Sequence, residues 1–254
     1  FNDGDKLTLK NVLIGEVWIC SGQSNMEMQM TGYNGQPVDG ATDMIMTAKP
    51  SVPIRSCNVK RVLALEPAED CEATWYEHTP EGVSEASATA YMFARKLQEV
   101  LDIPVGIINV SWGGSRIEAW MSEELLRKEF AGEINLKHID EKKMPEKNPF
   151  KTACTLYNGM MHPVAPYTAK GFVWYQGCSN ASEAHLYCEK MHALYKGWST
   201  KFENPNFKLY FVQLAPYTSN WMGIVEAQNK FAAEEKNAAI AVSADIGNFA
   251  DIHP

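Results

Sequence analysis

The chain has 254 residues, 45% of them hydrophobic, with a formal net charge of -8 and a pI near 5.3. That length can bury one sizeable α/β core, and the acidic balance argues against nucleic acid or an anionic membrane surface, both of which reward clustered Lys and Arg. A neutral or locally anchored small substrate fits that balance better; no apolar run approaches the roughly 20 residues of a membrane helix, and the lack of a charged-then-apolar leader carries no weight in a chain that starts without methionine.

Residues 1–11, FNDGDKLTLKN, alternate like the end of a half-exposed strand. Residues 12–20 form an almost unbroken apolar run with β-branched and aromatic members, which predicts a strand buried on both faces. Residues 31–56 are rich in Gly, Pro, Met and Asp and read as a long loop over the sheet edge. A short strand is expected over 58–65, then an irregular acidic stretch over 66–85 whose Trp75 and Tyr76 could wall a sugar site. Ala86, Ala90, Phe93, Leu97 and Val100 recur at helical spacing, with Ser84 as a cap and Pro104 beyond the end.

A strand over 105–110 leads to the Gly113-Gly114 turn and a helix through about Phe130. The charged segment 137–151 reads as a solvated excursion. A strand over 171–175, a helix carrying Tyr187, Met191, Leu194, Tyr195 and Trp198, a strand over 208–214, a helix over 224–236 and a strand over 238–244 complete the chain. Strands alternating with helices predict an α/β fold, three layers α/β/α around a central parallel sheet of about five strands.

Ser21 to Asn25 form a small-residue turn at the carboxyl end of the first buried strand, the edge where open α/β sheets place ligands. Ser24 is the candidate nucleophile; Gly22-Gln23-Ser24 starts like a nucleophile elbow, but Met26 stands where that motif has its second glycine. The structural alternative is a capping serine. A serine needs a base, and of six histidines only His253 follows a strand on a short acid-containing turn, Asp251-Ile252-His253. Asp245, at the end of the final strand, competes with Asp251 as the orienting acid.

The string CSGQSNMEMQM resembles the first signature block of the SGNH-hydrolase superfamily, in the carbohydrate O-acetylesterase branch that includes sialate O-acetylesterases. Three further segments resemble that branch in its order: IINVSWGGSRIEAWM at 107–121, LYNGMMHPVAPYTAKGFVWYQGCSNA at 156–181 and ADIGNFADIHP at 244–254. The resemblance implies an SGNH, flavodoxin-like hydrolase fold over residues 12–254, preceded by a β-rich domain of which 1–11 would be the last strand. A helix usually follows DIHP in the family, so both ends are read as cut.

By the same resemblance Ser24 attacks, His253 is the general base and Asp251 orients it, although the superfamily's usual spacing is D-x-x-H. Oxyanion donors are expected from the Ser24 amide, from Gly113 or Gly114, and from a side-chain amide of QGCSN, Asn180 first and Gln176 second. Gln23, Arg116, Gln176 and His162 are candidate substrate contacts. Arg116 could clamp a substrate carboxylate or form an ordinary ion pair, and His162 could line the pocket or satisfy a buried turn. The implied activity is hydrolysis of O-acetyl groups from a small sugar or oligosaccharide, acetylated sialic acid first and acetylxylan as the alternative. A glycan-binding protein that has lost catalysis is the rival from another class.

No cofactor is needed, a secreted or periplasmic location is implied, and the oligomeric state is left open. Cys178 replaces the glutamate of the common QGESN, and nothing near it in sequence would activate a thiol. The six cysteines include no C-x-x-C pair; for an exported chain, Cys57 with Cys71 is the nearest pairing. His185, Cys188 and His192 fall on one helix face at i, i+3 and i+7, a weak metal pattern lying beside the apolar stripe.

Overall fold

The central strand is β1 (Glu16–Gly22), and its burial begins at Trp18. The structure, a computed structural model, describes residue 4 and residues 6–218 and 221–253. The expected start of that strand at residue 12 is corrected: Val12 and Ile14 are exposed, Ile14 at 91%, and pairing begins only where Glu16 meets Val105.

After β1 come α1 (Ser24–Glu27), α2 (Ala41–Met46), β2 (Ile54–Val59), β3 (Ala73–Glu77), α3 (Pro80–Glu85), α4 (Ala88–Leu101) and β4 (Val105–Ser111). The second half contains α5 (Glu123–Glu129), α6 (Lys137–Asp140), β5 (Gly171–Tyr175), α7 (Tyr187–Lys201), β6 (Lys208–Val212), α8 (Met222–Glu234) and β7 (Ala238–Ala241). The sheet has seven strands in the order β3-β2-β4-β1-β5-β6-β7. Six run parallel, against an expected sheet of about five strands, and β3 pairs antiparallel with β2 at the edge.

Alternation along the strands divides the core between two faces. Trp18, Cys20, Ile107, Val173 and Tyr175 pack with α1, α3 and α4 through Met26, Val83, Tyr91 and Ala94, and with Met30 of the loop after α1. Ile19, Ile108, Val110, Phe172 and Trp174 pack on the other side with α5, α7 and α8, through Leu126, Met191, Leu194, Trp198, Ile224 and Phe231. This is the three-layer α/β/α architecture.

The order also fixes where the site lies. Chain leaving β1 crosses to β2 on one side, whereas chain leaving β4 returns past β1 to β5 on the other. The carboxyl ends of β1 and β4 therefore border a crevice between diverging connections, the place open α/β sheets use for ligands. Several local expectations shift against this frame. The second strand is Ile54–Val59 and not 58–65, the irregular stretch 66–85 contains β3 and α3, and the 31–56 loop contains α2. Ser87, not Ser84, caps α4, its hydroxyl accepting the Ala90 N–H at 3.2 Å. No helix among the described residues is long and apolar enough to cross a membrane.

Candidate active site

Gly22 ends β1 at φ +142, and a Cβ there would run into the Tyr175 carbonyl of β5. Only glycine meets both demands. The chain then turns directly into α1, with Ser24 half-buried at its first position and Asn25 and Met26 buried behind it. No side chain caps this helix, so the capping role considered for Ser24 is not the one it has. Its amide lies in the first turn, where helix geometry supplies no acceptor.

Three loops are stitched around that serine. The Gln23 N–H donates to the Tyr175 carbonyl at 2.9 Å, and the Trp112 N–H to the Gly22 carbonyl at 3.1 Å. The Gly177 N–H donates to Gln23 Oε1 at 3.2 Å, Ser179 Oγ to the Gly114 carbonyl at 2.8 Å, and Gln176 Nε2 to the Ser115 carbonyl at 3.0 Å. The turns after β1, β4 and β5 thus form one hydrogen-bonded unit. Gly114 sits at φ +69 with Phe150 against it, the left-handed conformation a tight turn needs.

The DIHP segment joins this unit. Asn25 Nδ2 donates to the Ile252 carbonyl at 2.9 Å. Tyr33 bridges the two parts, its hydroxyl donating to the Ser24 carbonyl at 3.1 Å and its ring meeting the His253 ring edge-on at 5.2 Å between centroids. Burial, with the Glu27 carboxylate nearby, pushes the Tyr33 hydroxyl up to about 12, so it remains a proton donor at neutral pH.

Asp251 holds the histidine indirectly. Its Oδ1 accepts the His253 backbone N–H at 2.9 Å and the Gln36 side-chain amide at 2.7 Å, while Gln36 Oε1 faces His253 Nδ1 at 3.1 Å. The reason is the one-residue spacing: an Asp side chain curls readily onto the N–H two residues on, which occupies the carboxylate at the backbone. Gln36 then carries the connection to the ring. Asp245 is exposed on the turn after β7. Burial lowers the His253 pKa, and the Asp251 and Glu27 carboxylates oppose that without overcoming it. The Asp251 carboxyl is held low, chiefly by the His253 N–H.

Three expected roles are corrected. The Gly113 N–H donates to the Glu27 carboxylate, which leaves Gly114 as the glycine whose amide can serve as a donor. Asn180 is fully buried, with Nδ2 donating to the Glu118 carboxylate at 3.0 Å and 3.1 Å and Oδ1 accepting the Ile117 N–H and Gln176 Nε2. Gln176 is likewise enclosed, with its Oε1 accepting the Tyr187 hydroxyl at 2.7 Å. Both QGCSN amides therefore build the loop from inside.

Arg116 takes the ion-pair alternative, with Nη2 2.5 Å from Glu183 and Nε 3.5 Å from Glu118. His162 satisfies a turn, its Nδ1 3.0 Å from the Ala68 carbonyl. It borders a groove with Tyr157, α5 and α7 and shares no partner with Ser24. All six cysteines are free thiols, Cys57 and Cys71 included, and burial pushes Cys178 up to about 11 against a hydrogen bond from Gln23. Trp75, on edge strand β3, meets Tyr167 in a tilted pair with ring centroids 6.2 Å apart.

A cleft of about 780 Å³ opens past the glycine turn, lined by Arg116, Glu118, Glu183, His138 and Lys151. Ser24 does not line it. A smaller pocket of about 230 Å³ abuts the end of α1, with Glu27, Tyr33, Arg61, Asn58 and Asn109 in its wall; Ser24 does not line this one either. Arg61 pairs with Glu27 at 2.7 Å and lies over the Trp112 ring.

Sequence reasoning missed Glu27, Tyr33, Gln36 and Arg61 around the crevice and the Glu118–Lys190 pair beneath it. Glu27 and Lys190 carried a usable signal. Glu27 stands three residues after Ser24, one helical turn on, and Lys190 interrupts the apolar stripe of α7 at a core position.

The family model described as carbohydrate esterase, sialic acid-specific acetylesterase, matches residues 14–253. The sialate O-acetylesterase of Homo sapiens is 33% identical over 205 residues, covering 77% of this chain and 37% of that protein. The Rattus norvegicus enzyme is 30% identical over 253 residues, covering 83% and 45%. The chain therefore spans less than half the length of these curated relatives. A crystal structure of a carbohydrate acetylesterase from Xanthomonas citri superposes with a TM-score of 0.85 at 31% identity, over 99% of this chain and 55% of that one. Motif, crevice and comparisons agree: the chain belongs to the carbohydrate esterase family of sialic acid-specific acetylesterases.

Proposed function

We propose that this chain is a serine esterase that removes O-acetyl groups from carbohydrate, with O-acetylated sialic acid as the substrate. One observation carries the reading. The serine turn, the glycine turn and the DIHP segment, separated by more than two hundred residues of sequence between Asn25 and Ile252, are tied into one crevice at the carboxyl edge of the sheet.

In this reading Ser24 Oγ bonds to the acetyl carbonyl carbon as His253 accepts its proton. The carbonyl oxygen becomes an oxyanion, held by the Ser24 and Gly114 backbone N–H groups; one such donor is commonly worth about 3 to 4 kcal/mol. Collapse of the tetrahedral intermediate breaks the ester bond, and His253 returns the proton to the departing sugar hydroxyl. Water then repeats the sequence on the acetyl-serine. Asp251 and Gln36 keep Nδ1 occupied so that the other ring nitrogen is available to the serine. The mechanism requires no metal or cofactor.

The pocket walled by Tyr33, Arg61 and Asn58 is the place for the acyl-bearing part of the sugar. Arg61, half-exposed beside Glu27, takes over the carboxylate-recognition role first considered for Arg116. Hydrolysis of p-nitrophenyl acetate and of a panel of acetylated sialic acids and xylo-oligosaccharides, by the unmodified chain and by Ser24→Ala, tests both levels. Faster turnover of xylo-oligosaccharides would move the substrate to plant glycan and keep the chemistry. Sugar binding without turnover would replace the enzyme with a lectin.

A further inference from the structure

Away from the crevice, α7 and α8 bring together Cys188, His192 and Glu234, whose ligand atoms all lie within 4.8 Å of one another. Cys188 and His192 are four residues apart on α7 and so project from one face, while Glu234 ends α8. Cys188 Sγ is 3.8 Å and His192 Nε2 2.9 Å from Glu234 Oε2. The expected His185 lies before α7, in a separate short helix, and is not in the cluster; the third donor comes from the neighbouring helix, which no spacing within α7 could reveal.

We propose that Cys188, His192 and Glu234 bind one zinc ion that clamps the end of α8 to α7. Tetrahedral zinc has bonds of about 2.0 Å to N and O and about 2.3 Å to S, so its ligand atoms stand roughly 3.3–3.8 Å apart. The Cys188–Glu234 separation of 3.8 Å is a few tenths of an ångström longer than the roughly 3.5 Å of a sulfur and an oxygen on one zinc, and closes on binding. The His192–Glu234 contact opens by a few tenths of an ångström as a hydrogen bond is exchanged for two metal bonds. The mixed thiolate, imidazole and carboxylate set selects a borderline ion over magnesium or calcium, which prefer oxygen alone. His192 and Glu234 are partly exposed while Cys188 is buried, so the ion enters from solvent and its fourth position remains open to water.

Binding is balanced by a proton. A cysteine binds zinc as the thiolate, so each zinc bound at neutral pH displaces the thiol proton to solvent. The His192 ring also packs edge-on against Phe231 at 4.7 Å, which holds the imidazole in place beforehand.

The test is titration of the chelator-treated chain with Zn²⁺ by calorimetry in two buffers of different ionisation enthalpy, and with Co²⁺ by absorption. The expected result is one equivalent at micromolar Kd or tighter, release of a proton, and a near-ultraviolet thiolate-to-cobalt band. Cys188→Ser should abolish the band, and His192→Ala and Glu234→Gln should each weaken binding at least tenfold. These two surface substitutions keep the test valid if Cys188→Ser disturbs packing. Unchanged affinity in all three variants, or a cobalt spectrum without the thiolate band, overturns the proposal.

Discussion

Lys190 is 1% exposed, yet it lies among the apolar residues of α7, where its Nζ donates to Glu118 and, at 2.8 Å, to Glu183. Lys190→Met keeps most of the aliphatic stem and removes only the charge. Glu118, 6% exposed, would then stay buried with Asn180 and a 3.5 Å contact to Arg116 as its remaining partners. Breaking a buried pair from one side costs about 3–5 kcal/mol, and the surviving partners place this case near 3. For a chain of this size each kcal/mol moves Tm by roughly 2–4 °C, so thermal unfolding should shift down by roughly 6–12 °C.

Glu183 gives the same network a pH signature. Burial raises its carboxyl, but hydrogen bonds from Arg116 and Lys190 outweigh that and hold it at about 2. A carboxyl depressed in the fold contributes stability that is complete above its unfolded value of about 4.3 and is lost as pH falls toward the folded one. Lys190→Met should therefore flatten the loss of stability between about pH 4.3 and pH 2. In Glu118→Leu/Lys190→Met the cost should be less than the sum of the single variants, because neither charge is left alone. A shift below about 2 °C for Lys190→Met, or strict additivity in the double variant, would refute the reasoning that this pair carries the loop.

Since burial lowers the His253 pKa, the acid limb of the kcat/KM profile should have its midpoint below the ordinary value of about 6.5. Asp251→Asn removes an opposing charge and should move that midpoint lower still, as read from initial rates across pH 4–8. Gln36→Ala breaks the side-chain link between Asp251 and the imidazole, and loss of a hydrogen bond worth about 1–1.5 kcal/mol predicts a kcat about tenfold lower with KM little changed. Gly22→Ala forces a Cβ into the Tyr175 carbonyl at a left-handed φ, so urea unfolding should show a loss of more than about 2 kcal/mol; a stable, active variant would contradict the geometry of the serine turn.

The parts of the fold legible in the sequence are those where burial is two-sided. Gly171–Tyr175 is buried at all five positions, and its short apolar run between turns predicts a strand with those bounds. The second strand was misplaced because Arg55, Ser56 and Asn58 dilute its pattern, whereas the apolar letters at 62–65 belong to a loop pinned by Asn158. The edge strand β3 has three exposed residues in five and so reads as irregular. At the site, Ser24, His253, Asp251 and Gly114 stood in motifs with chemical logic. Gln36 did not: it comes from a loop without periodicity, and only folding brings it between Asp251 and the ring. Asn180 shows the converse, a motif residue whose amide the fold turns inward to Glu118.

The central claim is acyl transfer through Ser24. Rapid acid quench of the chain reacting with p-nitrophenyl acetate, followed by peptide mass analysis, should find an acetyl group on the peptide containing Ser24 and none in Ser24→Ala, whose turnover should vanish. An acetyl group on Cys178 alone, or undiminished hydrolysis by Ser24→Ala, would contradict the account.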